Sequence, residues 1–129
     1  MAENNIKVCS YDLDWNRFDI MYYRAVVKEV FEKPFTYDGV FAVDELAIEC
    51  MNEIIRNHMK VPKDVKIVAY DGTFVTNMVE PQITSIVQPV EELAKEAVRL
   101  LSEQINGTVY DKKQVVLGIQ LRKGKTTVL

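Results

Sequence analysis

The sequence predicts an α/β fold, and three features carry that reading. Residues 39–43 (GVFAV) and Val65 to Tyr70 are nearly continuous apolar runs, the habit of strands covered on both faces in a parallel sheet. Between them lies an apolar stripe at helical spacing, so that 39–72 reads as a βαβ unit with a right-handed crossover. The chain has 129 residues, 48% hydrophobic and 27% charged, which suits one domain with a sizeable core.

Taken in order, Ile6 to Tyr11 alternates as a short strand does, and the polar cluster YDLDWNR breaks it. Phe18, Met21, Tyr22, Ala25, Val26 and Val30 recur at helical spacing up to Phe31, and Pro34 ends that helix. Asp44 follows the GVFAV strand as a natural N-cap. Leu46, Ala47, Cys50, Met51, Ile54 and Ile55 then mark one face of a helix reaching about His58. Pro62 and Asp64 turn the chain into the second strand, which Asp71-Gly72 closes. A loop through Pro81 leads to a third strand, ITSIV at 83–87. Pro89 opens a helix with Glu91 and Glu92 at its positive end; Leu93, Ala97, Leu100, Leu101 and Ile105 form its stripe, and Asn106-Gly107 stops it. Val115 to Leu121 reads as a last long strand and RKGKTTVL as a ragged, solvated end.

Composition excludes several functions. No apolar run reaches the roughly 18 residues of a membrane span, and the start carries no secretion signal, which predicts a cytoplasmic domain. With a net charge of -3 and no basic stripe, the chain is poorly suited to hold nucleic acid by itself. One His and two Cys leave little for a zinc site or for acid–base chemistry; no cofactor motif is present, and Cys9 and Cys50 read as buried structural thiols.

Asp12, Asp44 and Asp71 follow the strands, and ligands of open α/β sheets bind beyond the carboxyl ends of strands. Asp44 is read first as a cap. Asp71 is either a turn former or a carboxylate offered to a polar ligand. Tyr11 and Trp15 offer aromatic faces to a sugar ring or a planar base, although a Trp serves as readily in a core. Asp12 and Asp14 form a short D-x-D that, with Asp71, would serve a divalent-metal enzyme; a solvated loop is the plainer reading.

Residues 39–72 and 81–101 resemble the lac repressor family of bacterial transcription regulators. The matching points are Asp44, Ala47, Val61-Pro62, Asp64-Val65, Tyr70-Asp71, Pro81, Thr84 and Gln88-Pro89, at the family's spacing. The resemblance implies a mostly parallel, doubly wound, Rossmann-like sheet with helices on both faces. That sheet would be the C-terminal part of a two-subdomain fold shared with periplasmic sugar-binding proteins, the first alternative function. Residues 6–88 and 113–129 would form this subdomain, and the 89–107 helix would cross to the other one. The family's DNA-binding headpiece, its first subdomain, and the opening strand and helix of the second have no counterpart in this sequence.

The resemblance further implies an effector-sensing and dimerisation role in a repressor-type regulator, with no catalysis. A small, sugar-like effector would bind between subdomains and shift the DNA-binding state. Asp71 matches a position that bonds effector polar groups; Val43 stands where sugar-binding members often carry Asn; Asp44, Trp15 and Tyr11 complete the expected site. Ile48, Met51, Met78 and Val79 fall where members form a homodimer, or pack beneath their own loop. Gly118 and Gly124 stand where a Pro and an Arg are common. With its partner subdomain lacking, the 90–105 helix is expected to pack back on the sheet or on a second copy.

Overall fold

The computed structural model describes residues 6–14, 16–17, 19–32, 34–110 and 114–128. Helix α1 (Ile20–Glu32) starts at Asp19, whose Oδ1 accepts the Tyr22 amide at 2.7 Å, and it stops short of Pro34. It buries Val27 and Phe31; Phe31 stacks on Phe35 with ring centroids 4.3 Å apart. Strand β1 (Gly39–Val43) runs straight into α2 (Asp44–Arg56), which places Leu46, Ala47, Met51 and Ile54 in the core. Ile55, read from spacing as part of that face, is 49% exposed, because the buried arc of α2 is narrower than the stripe. Strand β2 (Lys66–Asp71), a 3-10 turn at Phe74–Asn77 and strand β3 (Thr84–Val87) follow. Helix α3 (Val90–Ile105) and the short β4 (Gln120–Arg122) complete the chain.

The strands lie in the order β1-β2-β3-β4, the first three parallel and β4 antiparallel to β3. Residues in register share a face of the pleat. Val40 with Ile67, and Ala42 with Ala69 and Ser85, therefore point to one side, where α2 packs and α1 packs in turn on α2. On the other side Phe41 and Leu121 remain 64% and 60% exposed, so the described helices bury themselves against one face. No helix of the described residues is long and apolar enough to cross a membrane.

The structure corrects four expectations. Ile6 to Ser10 forms no strand, and Ile6 and Val8 are about three-fifths exposed at 62% and 61%. A strand needs a ladder, and β1, an edge of the sheet, pairs only with β2 among the described residues. Of the expected strand from Val115, only Gln120–Arg122 pairs, opposite Ser85 to Val87, while Val116 and Ile119 stay exposed.

The last residues are not ragged. Thr126 is fully buried: its Oγ1 donates to Ile67 O at 2.7 Å and accepts the Thr84 amide at 3.0 Å, and its carbonyl takes the Ile67 amide at 3.1 Å. It closes the gap where β2 and β3 begin. Finally, α3 does not fold back on the sheet. None of its residues is buried, and Leu101 and Ile105 are 58% and 76% exposed.

Candidate ligand site

The carboxyl ends of the parallel strands meet in register, Val43 beside Tyr70 and Asp71 beside Val87. Asp71 has φ 112° and Gly72 φ 69°, so the chain leaves β2 through two left-handed residues. Position 72 accepts only glycine, because a Cβ there would sit 2.6 Å from Val87 Cγ2 and 2.7 Å from Val87 Cα. This turn presents a half-buried Asp71 carboxylate at the strand ends. Its Oδ1 accepts Gln88 Nε2 at 2.5 Å; among the described residues its Oδ2 takes no hydrogen bond from the chain.

Asp44 is not the cap of its own helix. Val43 occupies the N-cap, and no side chain caps α2. The Asp44 carboxylate instead reaches across to the loop after β2, accepting Gly72 N at 3.2 Å, Thr73 N at 2.6 Å and Thr73 Oγ1 at 2.6 Å. It is 0% exposed, so it holds the site together and does not face a ligand.

The same loop is gripped from the far side by Arg122, which a reading of RKGK as solvated overlooks. Its Nη1 donates to Gly72 O at 3.0 Å, and its Nη2 to Thr73 O at 3.1 Å and Thr76 Oγ1 at 2.6 Å. One carboxylate thus takes the loop's amides while one guanidinium takes its carbonyls. Position 124, where the family offers an Arg, has no room for one: a Cβ would lie 2.3 Å from Gln82 O. The guanidinium comes from position 122.

Of the other expected site residues, Val43 is half-buried at the strand ends and apolar. Tyr11 is not brought to Asp71; its hydroxyl lies 3.5 Å from that of Tyr37, just before β1 and so on the amino side of the sheet. Trp15 lies outside the described residues. Asp14 Oδ1 accepts the Asn16 backbone and side-chain amides, a local turn. Asp12, Asp14 and Asp71 do not assemble, and the described residues contain no His/Cys/Asp/Glu group that could hold a metal.

Met51 is 2% exposed inside the core and is withdrawn from any interface. Ile48 and Val79 are half-buried against that core, and Met78 is 75% exposed.

The cysteines differ sharply. Cys9 is exposed, contrary to expectation, because the strand meant to bury it does not form. Hydrogen bonds from Tyr37 and then Tyr11 lower its thiol below the usual range. Burial, helped by the charge of Glu49, pushes the Cys50 thiol up to about 12. Since the thiolate is the nucleophile, iodoacetamide at about pH 8 should label Cys9 first and leave Cys50 unmodified in the folded chain. Peptide mass spectrometry checks the order; equal labelling would contradict this arrangement.

The carboxyl edge of an open, mostly parallel sheet, where this polar turn lies, is where α/β domains bind their ligands. Residues 1–127 match the family model described as periplasmic binding protein-like domain, and the chain belongs to that family. The HTH-type transcriptional regulator CelR of Thermobifida fusca is 32% identical over 98 residues, 75% of this chain and 29% of that protein. A solved complex of the transcriptional regulator CelR with cellobiose matches with a TM-score of 0.76 at 29% identity, covering 84% of this chain and 34% of the other. A LacI family transcriptional regulator of Enterococcus faecalis V583 with bound ribose matches with a TM-score of 0.71 at 28% identity, covering 86% of this chain and 41% of the other. The chain is thus similar to part of proteins named as transcriptional regulators. It spans less than a third of the curated relative's length, at 29%.

Proposed function

We propose that this chain is the effector-sensing and dimerising part of a cytoplasmic, non-enzymatic transcription regulator of the repressor kind. The effector is a neutral, hydroxyl-rich molecule such as a sugar, as in the cellobiose and ribose complexes of similar proteins. The observation that carries this reading is the Asp71 carboxylate at the strand ends, one oxygen held by Gln88 and the other open to a ligand hydroxyl. Val43, in register with Tyr70 at the same strand ends, adds an apolar side chain to that edge of the sheet. The exposed stripe of α3 suits a second subdomain, with the ligand between the two halves. Ile48, Met78 and Val79 remain the candidate contacts to a second copy. DNA is reached through a separate headpiece. A ligand that binds one closure of the two halves better than another shifts the regulator's population, and its effect on DNA is limited to that difference in affinity.

Calorimetry with ribose and with cellobiose tests the site in the protein carrying both halves. Asp71→Asn keeps the turn's shape but turns an acceptor-only group into a weaker acceptor. It should weaken binding at least about tenfold, as loss of a charge-assisted hydrogen bond does. Unchanged affinity in the variant, or no binding of either sugar to the parent, would sink the reading.

A further inference from the structure

We propose that Gln88 couples the Asp71 carboxylate to the passage by which the chain leaves the sheet for α3; this rests on the reading of Asp71 as the ligand-binding carboxylate. Gln88 is tied to Asp71 twice. Its side-chain amide donates to Oδ1 at 2.5 Å, and its backbone amide donates to Asp71 O at 3.2 Å. The next residue, Pro89, is the N-cap of α3, and its carbonyl takes the Leu93 amide at 2.9 Å. The first turn of α3 therefore hangs directly on the residue that holds the carboxylate.

The return from α3 ends on the same loop. Arg122 of β4 grips Gly72 O, Thr73 O and Thr76 Oγ1, so both passages between sheet and helix converge on the stretch 71–76. Asp44 fixes Gly72 and Thr73 through their amides. A loop held at its amides and its carbonyls has little freedom to absorb a disturbance. What can yield is the Asp71–Gln88 side-chain bond, whose donor is neutral and finds water readily. A ligand hydroxyl that donates to the open Oδ2 draws charge away from Oδ1 and weakens the Gln88 bond, so its arrival is felt at the start of α3. Gln88 is thus a positioning residue, with Arg122 as the anchor that keeps the response from dissipating in the loop.

Amide hydrogen exchange at Gln88, Val90 and Leu93 tests this in the chain itself, through a double-mutant cycle of Asp71→Gly and Gln88→Ala. Glycine suits the backbone at position 71, where φ is 112°. Each single change should speed exchange at these amides about tenfold, as loss of a charge-assisted bond predicts, and the double change should add little. Gln88→Met, which keeps bulk and removes the donor, should behave as Gln88→Ala; if it behaves as the parent, the coupling is wrong. Additive effects, or unchanged exchange in both single variants, would overturn it as well. The exchange is read without any sugar, so failure of ribose and cellobiose to bind would sink the effector reading separately. An additive cycle alongside intact sugar binding would sink the coupling alone.

Discussion

Asp44→Ala should lower the unfolding free energy by about 3 kcal/mol, the upper range for hydrogen bonds to a charged group. The carboxylate is fully buried and accepts three hydrogen bonds from Gly72 and Thr73. Alanine would leave two loop amides without the buried acceptor that holds them, and would remove a negative charge from the first turn of α2. Asp44→Asn should recover only part of the loss. Its NH2 group must face either the Gly72 amide or the Thr73 donors, and no orientation serves all three. Glu45, exposed in the same first turn, is the control: Glu45→Ala should stay within about 0.5 kcal/mol. Urea unfolding measures all three variants. An Asp44→Ala cost no larger than that of Glu45→Ala would show that the carboxylate does not hold the loop.

Asp44 also marks the boundary of what sequence alone could tell. Everything decided by neighbours along the chain was legible: the stripe of α2, the stop before Pro34, the Asp-Gly turn closing β2, the strand–helix–strand order. An Asp at a helix start was rightly singled out, but its partners lie 28 and 29 residues away, and local preference for a cap pointed to the wrong bond. Arg122 is separated from Gly72 by 50 residues, and nothing in RKGK distinguishes a clamp from a solvated tail. The segment Ile6 to Ser10 shows the opposite failure. Its alternation is a sound strand pattern, yet the pattern states only that a strand would fit a sheet, not that a neighbour exists. Among the described residues nothing pairs with the outer edge of β1. The candidate site divides in the same way: the place of Asp71 at a strand end was legible from its Asp-Gly, whereas the set of bonds fixing it was not.

Gly124→Ala should cost about 3 kcal/mol or more, because the new methyl would meet backbone and not a side chain able to swing aside. Its Cβ would lie 2.3 Å from Gln82 O, 2.6 Å from Ile83 C and 2.7 Å from Thr84 N. Relief requires the terminal segment to back away from the start of β3. That motion breaks a linked set of bonds: Gly124 N to Thr84 Oγ1 at 3.0 Å, Lys125 N to Gln82 O at 2.7 Å, and the Thr126 contacts with Ile67 and Thr84. Thr84 and Ile67 would then be left with buried polar groups unsatisfied, which adds to the steric cost. Gly118 offers an internal comparison, since a Cβ there meets nothing within 4 Å; Gly118→Ala should shift stability by no more than about 0.5 kcal/mol. The pair separates a glycine required by close approach from one that is merely present. Urea midpoints that fell equally in the two variants, or a Gly124→Ala chain as stable as the parent, would mean that the terminal segment does not seat between β2 and β3. Arg122, two residues before Gly124, would then lose the support that aims it at the Asp71 loop.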